Sequence, residues 1–213
     1  MPTPGKGYWL DGKRLPSVTT ILSRFKESGG LIHWAWSLGA EGKDYRDEKQ
    51  AAATAGTAAH DMVECFIRDR VFDPMPYPVE ALAKAENSYS AFRRWAGQCS
   101  LKPARTEIEL KSRRYRFGGT LDAVTIEGAL HLLDWKTSNA VYSDYLLQLA
   151  AYGLLWNENF PDQPIVGYDL IRFSKNDDAD FAHHSFLSLK DEAAMFLLLR
   201  KAYDFDQRIR KRI

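Results

Sequence analysis

The sequence predicts an α/β protein in which a central mixed β-sheet is flanked by helices behind a mostly helical N-terminal region. Three observations predict it. Residues 31–70 and 79–98 carry Ala, Leu, Trp and paired charges at helical spacing. Residues 105–135 change period to short alternating or apolar runs, and helix and strand patterns then follow one another to the end. The composition agrees: 213 residues, 29 basic against 28 acidic side chains, 45% hydrophobic and 27% charged. A chain of this length buries about 70% of its unfolded surface and folds without disulfides or a structural metal. We read 1–213 as one domain, with 1–100 a hairpin plus helices and 101–213 the sheet and its flanking helices.

The elements follow in order. Gly7 to Leu15 reads as a hairpin around Asp11-Gly12, a turn signal. Pro16-Ser17 opens a helix to about Phe25, with Ser17 as N-cap, and Gly29-Gly30 is expected to break it. Two or more helices cover 31–70, one of them bearing Thr57, His60, Glu64 and Ile67. Pro74, Pro76 and Pro78 mark a loop before a helix over 79–98, with Leu82, Tyr89, Phe92 and Trp95 on its apolar side. Strands are predicted at 105–111, 117–124 and 130–135, the last two joined by a turn at Glu127-Gly128. A helix over 140–157, strands over 165–173 and 180–187 and a helix over 189–210 complete the chain.

A net charge of +1 argues against a general polyanion binder, but the charge is uneven. Residues 102–116 hold Lys102, Arg105, Lys111, Arg113, Arg114 and Arg116 against Glu107 and Glu109. That stretch is either a solvated face or a contact for phosphates. No apolar run approaches the roughly 18 residues of a membrane span, and the opening reads as neither a signal nor a transit peptide. We therefore expect a cytoplasmic protein with no membrane partner. Cys65 and Cys99 cannot frame a disulfide network and are expected to be reduced and buried. Trp34, Trp36, Tyr45 and Trp95 read as a Trp-rich helical core; the alternative is a surface on which bases of a single strand stack.

The chemistry lies in acids on neighbouring strands. Asp134 and Lys136 are two apart, so a strand projects both from one face. A carboxylate there suits a hard cation, and an ammonium can orient an attacking water, as phosphodiester hydrolysis requires. Asp122, on an adjacent strand, completes a small oxygen cage. A lone Asp-x-Lys is common as a surface ion pair. Here it stands between Gly56-Thr57-Ala58-Ala59-His60, on a helix, and Gln148 and Tyr152, four apart on the next one.

In this order the set resembles the PD-(D/E)XK nuclease superfamily, and within it the RecB-like exonuclease branch. The matching residues are Gly56 to His60, Glu107 on the first core strand, Gly119 to Asp122, Asp134-Trp135-Lys136, and Gln148 to Tyr152. Leu15-Pro16-Ser17-Val18-Thr19-Thr20-Ile21-Leu22 is similar to the opening of phage-encoded members. The resemblance implies a restriction-endonuclease-like core and a divalent-metal-dependent DNA exonuclease with a two-metal mechanism, using Mg2+ or, in its place, Mn2+. It implies Asp122 and Asp134 as metal ligands with the carbonyl of Trp135, and His60 at a second ion. Lys136 would position the water, Glu107 would be the first-strand acid with Glu109 its competitor on the same face, and Gln148 and Tyr152 would shape the site. Glu64 could reach a metal-bound water, although a salt bridge is the ordinary reading. Lys111, Arg113, Arg114 and Arg116 would contact DNA, presented as a linear end or single strand. Relatives with an iron–sulfur cluster carry four cysteines; with two, no cluster is expected. Recombination, repair or replication in a phage-infected or bacterial cell, beside a recombination or replication protein, is the implied setting. A structure-specific endonuclease and a catalytically silent DNA-binding module are the alternatives.

Overall fold

The computed structural model describes residues 7–26, 28–99, 103–126 and 130–213. The turn expected at Glu127-Gly128, Lys102 and the first six residues lie outside the described residues.

Strands β1 (Tyr8–Leu10) and β2 (Lys13–Leu15) pair antiparallel around Asp11 and Gly12, whose φ angles of 51° and 69° are both left-handed. Asp-Gly accepts that pair of conformations, which gives the tight hairpin its twist. Helix α1 (Val18–Phe25) is capped by Ser17, whose Oγ accepts from the Thr20 N–H at 2.9 Å. It buries Val18, Ile21 and Leu22. Gly29-Gly30 is not a break. Both residues form the first turn of α2 (Gly29–Ala40), where N–H groups lack intrahelical partners anyway and a glycine costs less than in a helix interior. The interruption falls just before them.

The core reading of the tryptophans holds only for Trp95, which is buried. No residue of α2 is buried; Trp34 is 36% exposed and Trp36 69%. An apolar helix was taken for core because sequence does not say which apolar face finds a partner. Helix α3 (Tyr45–Ile67) opens on Asp44, whose Oδ1 accepts from the Arg46 N–H at 2.8 Å. It packs on α4 (Val79–Gln98) through the small contacts Ala58, Ala59, Met62 and Ala85. Cys65 is half-buried and Cys99 exposed, so the expectation of two buried thiols was wrong.

The sheet runs β3 (Pro103–Lys111), β4 (Gly118–Ile126), β5 (Leu130–Lys136), β6 (Gly167–Phe173), β7 (Phe181–Phe186), in that spatial order. All neighbours are antiparallel except β5 and β6. A parallel step needs a long crossover, which α5 (Ser143–Asn159) supplies. On one face α5, α1 and α6 (Lys190–Arg210) bury Leu121, Val124, Leu132 and Leu170 with Ile21, Leu149 and Phe196. On the other, Phe92 and Trp95 of α4 and Val63 of α3 pack on Ala123, Leu133, Trp135, Ile171 and Phe173. Fully burying one such side chain is worth about 1.5–3 kcal/mol, so the two clusters hold the sheet between helical layers.

The alternation of faces breaks at one rung. Leu121 belongs to the α5 face and Ala123, two residues on, to the α4 face. In β3, Ile108 packs on the α5 side, whereas Thr106 accepts from the Arg68 guanidinium of α3. The residues between them, Asp122 and Glu107, stand opposite each other, since Thr106 pairs with Ala123 and Ile108 with Leu121. Glu107 has a φ of 49°. Such an irregularity re-aims side chains, and here it falls on the two acids singled out above.

Candidate active site

Asp134 lies in the middle of the sheet and is wholly buried. Neither carboxylate oxygen meets a hydrogen-bond donor in good geometry. Among the described residues its countercharge is Lys136 on the same strand face, with Nζ 2.6 Å from Oδ2 as an ion pair. Asp122 comes level with Asp134 one rung beyond the pair Ala123–Leu133. There its Oδ2 accepts from the Trp135 N–H at 3.0 Å. A side chain thus takes a place in the ladder, which lets β4 and β5 part at their acidic ends.

Burial sets the electrostatics. It lifts Asp134 to about 6 against the pull of Lys136, with Asp122 adding repulsion. Asp122 is raised for the same first reason, offset by Lys136 and the Trp135 N–H. Burial draws Lys136 down, but the two aspartates outweigh it and its pKa ends above the ordinary lysine value. Two acids and one ammonium so placed share too little positive charge, and a buried carboxylate with one oxygen unmet suits a further cation.

The flanking helices bring the rest. His60 of α3 is held down to about 4 by burial and by Lys136, with Asp134 pulling the other way. Its ring is therefore neutral at pH 7 and offers a lone pair. Gly56, one turn earlier, explains its own presence: a Cβ there would stand 3.0 Å from Thr137 Oγ1. On α5, Gln148 Nε2 donates to the Tyr152 hydroxyl at 2.8 Å. Tyr152 is raised well above the usual phenol value by burial and by Asp134 and Asp122. Gly119 makes room for it, since a Cβ would lie 2.7 Å from its ring. Glu107 is pushed up to about 8 by burial of its carboxyl and then by Asp122 and Glu64, although the residue keeps an exposed flank.

Other candidates lie elsewhere. Glu109 lies opposite Thr120 and pairs with Lys111 at 3.0 Å. Arg113 and Arg116 bind Asp11 of the hairpin at 3.3 and 3.1 Å, and Arg114 lies over the Tyr115 ring. Glu64 forms salt bridges with Arg68 and Arg70, at 2.9 and 2.7 Å. Among the described residues no three His, Cys, Asp or Glu side chains close a ready metal cage. The ligand set nevertheless fits a hard divalent ion: carboxylate oxygens, with Asp134 Oδ1 buried and meeting no donor among the described residues, and no thiolate.

Two residues escaped the sequence reading. Tyr145 holds its ring 5.3 Å from Lys136 Nζ. Its signal was present, three residues before Gln148 and seven before Tyr152, one stripe of α5. Lys175, on the loop after β6, lines a cavity of about 360 Å3 with Gly56, His60, Lys136 and Tyr145. Nothing in Ser-Lys-Asn marks it.

A mixed five-stranded sheet between helical layers, with two acids and a lysine converging where its strands part, defines a restriction-endonuclease-like fold. The model of the PD-(D/E)XK nuclease superfamily matches residues 8–208, and the chain belongs to that superfamily. Solved structures similar to it include a protein described as an exonuclease from Eubacterium rectale, 11% identical with a TM-score of 0.48 over 70% of this chain and 68% of that one. Another is the alkaline exonuclease of Laribacter hongkongensis, 12% identical with a TM-score of 0.38 over 57% and 69%. Its complex with dAMP is 12% identical, with a TM-score of 0.39 over 78% and 98%. No curated protein matches the chain.

Proposed function

We propose that the protein is a divalent-metal-dependent deoxyribonuclease that shortens DNA from ends. The observation that carries this reading is Asp134: a wholly buried carboxylate whose Oδ2 lies 2.6 Å from the Lys136 ammonium, whose Oδ1 meets no donor among the described residues, and which stands level with Asp122. Asp122 and Asp134 would hold Mg2+ or Mn2+, with the Trp135 carbonyl as a further donor and neutral His60 beside a second ion. Bound there, the ions would supply Lewis-acid polarisation of the phosphoryl oxygen and a more acidic water. Lys136 orients that water and steadies the negative charge that develops on the phosphorane oxygens. Tyr152, fixed by Gln148, closes the α5 side, and Glu107 adds a third acid opposite Asp122. Arg114, which makes no ion pair among the described residues, contacts the DNA backbone. Lys111, Arg113 and Arg116 do so only by exchanging partners. The RecB-like resemblance supports end-dependent cutting, a cytoplasmic setting and work in phage or bacterial recombination, repair or replication.

The test is degradation of linear and covalently closed circular DNA with Mg2+ or Mn2+. Linear DNA should shorten while the circle survives; rapid nicking of the circle would establish an endonuclease of the same fold. Asp134→Asn and Lys136→Ala should each lose orders of magnitude in rate, and Asp134→Asn should keep or raise Tm, because it relieves the repulsion with Asp122 and leaves Asp122 to balance Lys136. Lys136→Ala with near-full turnover would sink the role given to its ammonium.

A further inference from the structure

The cavity beside the acids has a second cation that the chemistry above does not use. Lys175 sits on the loop between β6 and β7, and both sides of that loop are pinned. Asn87 of α4 donates to the Lys175 carbonyl at 2.8 Å, and Ser88 Oγ donates to the Ser174 carbonyl at 2.9 Å. The ammonium is thereby aimed at α3, where its one hydrogen bond is a long one, 3.3 Å, to the Ala52 carbonyl. No carboxylate pairs with it among the described residues, and its charged neighbour is another cation, Lys84. Burial and Lys84 together lower its pKa. A half-buried ammonium beside a like charge, with no acid among the described residues, is poorly compensated unless an anion joins it.

The rest of the cavity suits an oxyanion. Thr57, Thr137 and Ser138 line it, with the Thr57 and Ser138 hydroxyls donating to the Ala53 and Ala140 carbonyls, and Lys136 reaches it from the sheet as a second ammonium. The wall after β5 is held in place, since the Arg172 guanidinium donates to the Ser138 carbonyl at 3.3 Å and to Asp180 at 2.9 Å. About 360 Å3 is room for a nucleotide-sized group. We infer that this cavity is a phosphate subsite, with Lys175 as its cation, which seats the DNA phosphate next to the one cleaved. The inference rests on the nuclease reading for the identity of the strand. It does not rest on that reading for the existence of an anion site. Lys175 is a positioning residue: it holds a neighbouring phosphate so that the scissile one meets Asp122, Asp134 and Lys136.

Two measurements test it. The first uses Asp134→Asn protein, which does not turn over, and a short single-stranded oligonucleotide titrated at several salt concentrations. Adding Lys175→Met should weaken binding by roughly tenfold and reduce the slope of log affinity against log salt by about 0.7, the share of one phosphate on a single strand. Lys175→Arg should restore most of both. In the otherwise wild-type enzyme, Lys175→Met should raise KM more than it lowers kcat. The second uses pyridoxal phosphate, whose aldehyde condenses with an amine, followed by borohydride trapping and peptide mass mapping. Lys175 should be labelled in preference to surface lysines, inorganic phosphate should protect it, and pyridoxal without the phosphate should label it poorly. Unchanged affinity and slope in Lys175→Met would overturn the assignment to DNA. Absence of phosphate-protected labelling would overturn the subsite itself. Should the oligonucleotide not bind at all, the nuclease reading fails and the labelling still decides the anion site.

Discussion

At Asp169 three donors reverse the effect of burial. Burial alone would lift the carboxyl, but hydrogen bonds from His183, Ser185 and His131 hold it down to about 2. A carboxyl that is more acidic folded than unfolded stabilises the fold above its unfolded value of 3.8. That stabilisation is lost as pH falls through about 2. At about 1.4 kcal/mol per pH unit the difference is worth about 2 kcal/mol. We expect Asp169→Asn to lower the urea midpoint at pH 7 and to flatten the acid limb between pH 4 and pH 2; wild-type acid sensitivity in the variant would contradict it. Glu107 poses the opposite case. Its left-handed backbone costs a side chain about 1–2 kcal/mol. Glu107→Gly should therefore keep or raise Tm and Glu107→Val lower it, while both lose nuclease activity. A Tm that falls equally in the two would show that the conformation carries no strain.

Close approach of elements, rather than any one bond, builds the cleft. Helix α5 reaches β4 because position 119 has no side chain. Gly119→Ala would drive a methyl against the Tyr152 ring and Leu155, at 2.7 and 3.0 Å. Overpacking of this kind costs about 1–3 kcal/mol. Melting and activity should both fall; Gly56→Ala, which meets only the Thr137 hydroxyl, should be milder in melting. The elements themselves were legible because their periods are local: the Asp-Gly turn, the Ser17 cap, the alternation of β3, the stripe of α4. Asp134 and Lys136 were legible for the same reason, two residues apart on one strand. What was not legible depends on neighbours in space. The reversal of faces between Leu121 and Ala123 departs from the period-two rule and has no local signal in the sequence. The pairing of Arg113 and Arg116 with Asp11 joins residues about a hundred positions apart. The aim of Lys175 is set by Asn87 and Ser88, far from it in sequence.

At the scale of the whole molecule, no helix among the described residues is long and apolar enough to cross a membrane. Near-neutral charge has a local counterpart, since Asp11 pairs with Arg113 and Arg116 and Glu109 with Lys111 in the basic run before β4. DNA affinity should then depend on few cations and respond weakly to salt. Arg114→Ala is expected to reduce the salt slope of oligonucleotide binding by about 0.7, whereas Arg113→Ala should chiefly loosen the hairpin and lower Tm. An unchanged slope in Arg114→Ala would remove that residue from the DNA path.

The bare helix α2 has one more consequence. Twelve residues are too few to remain helical in water by themselves, and this segment draws almost nothing from either layer of the fold beyond the edge of Trp34 against Tyr45. Its amide protons are thus governed by a local opening of small free energy, while those of β5, covered on both sides, wait for global unfolding. The protein sheds and regains one whole turn-bearing segment many times for each time it comes apart.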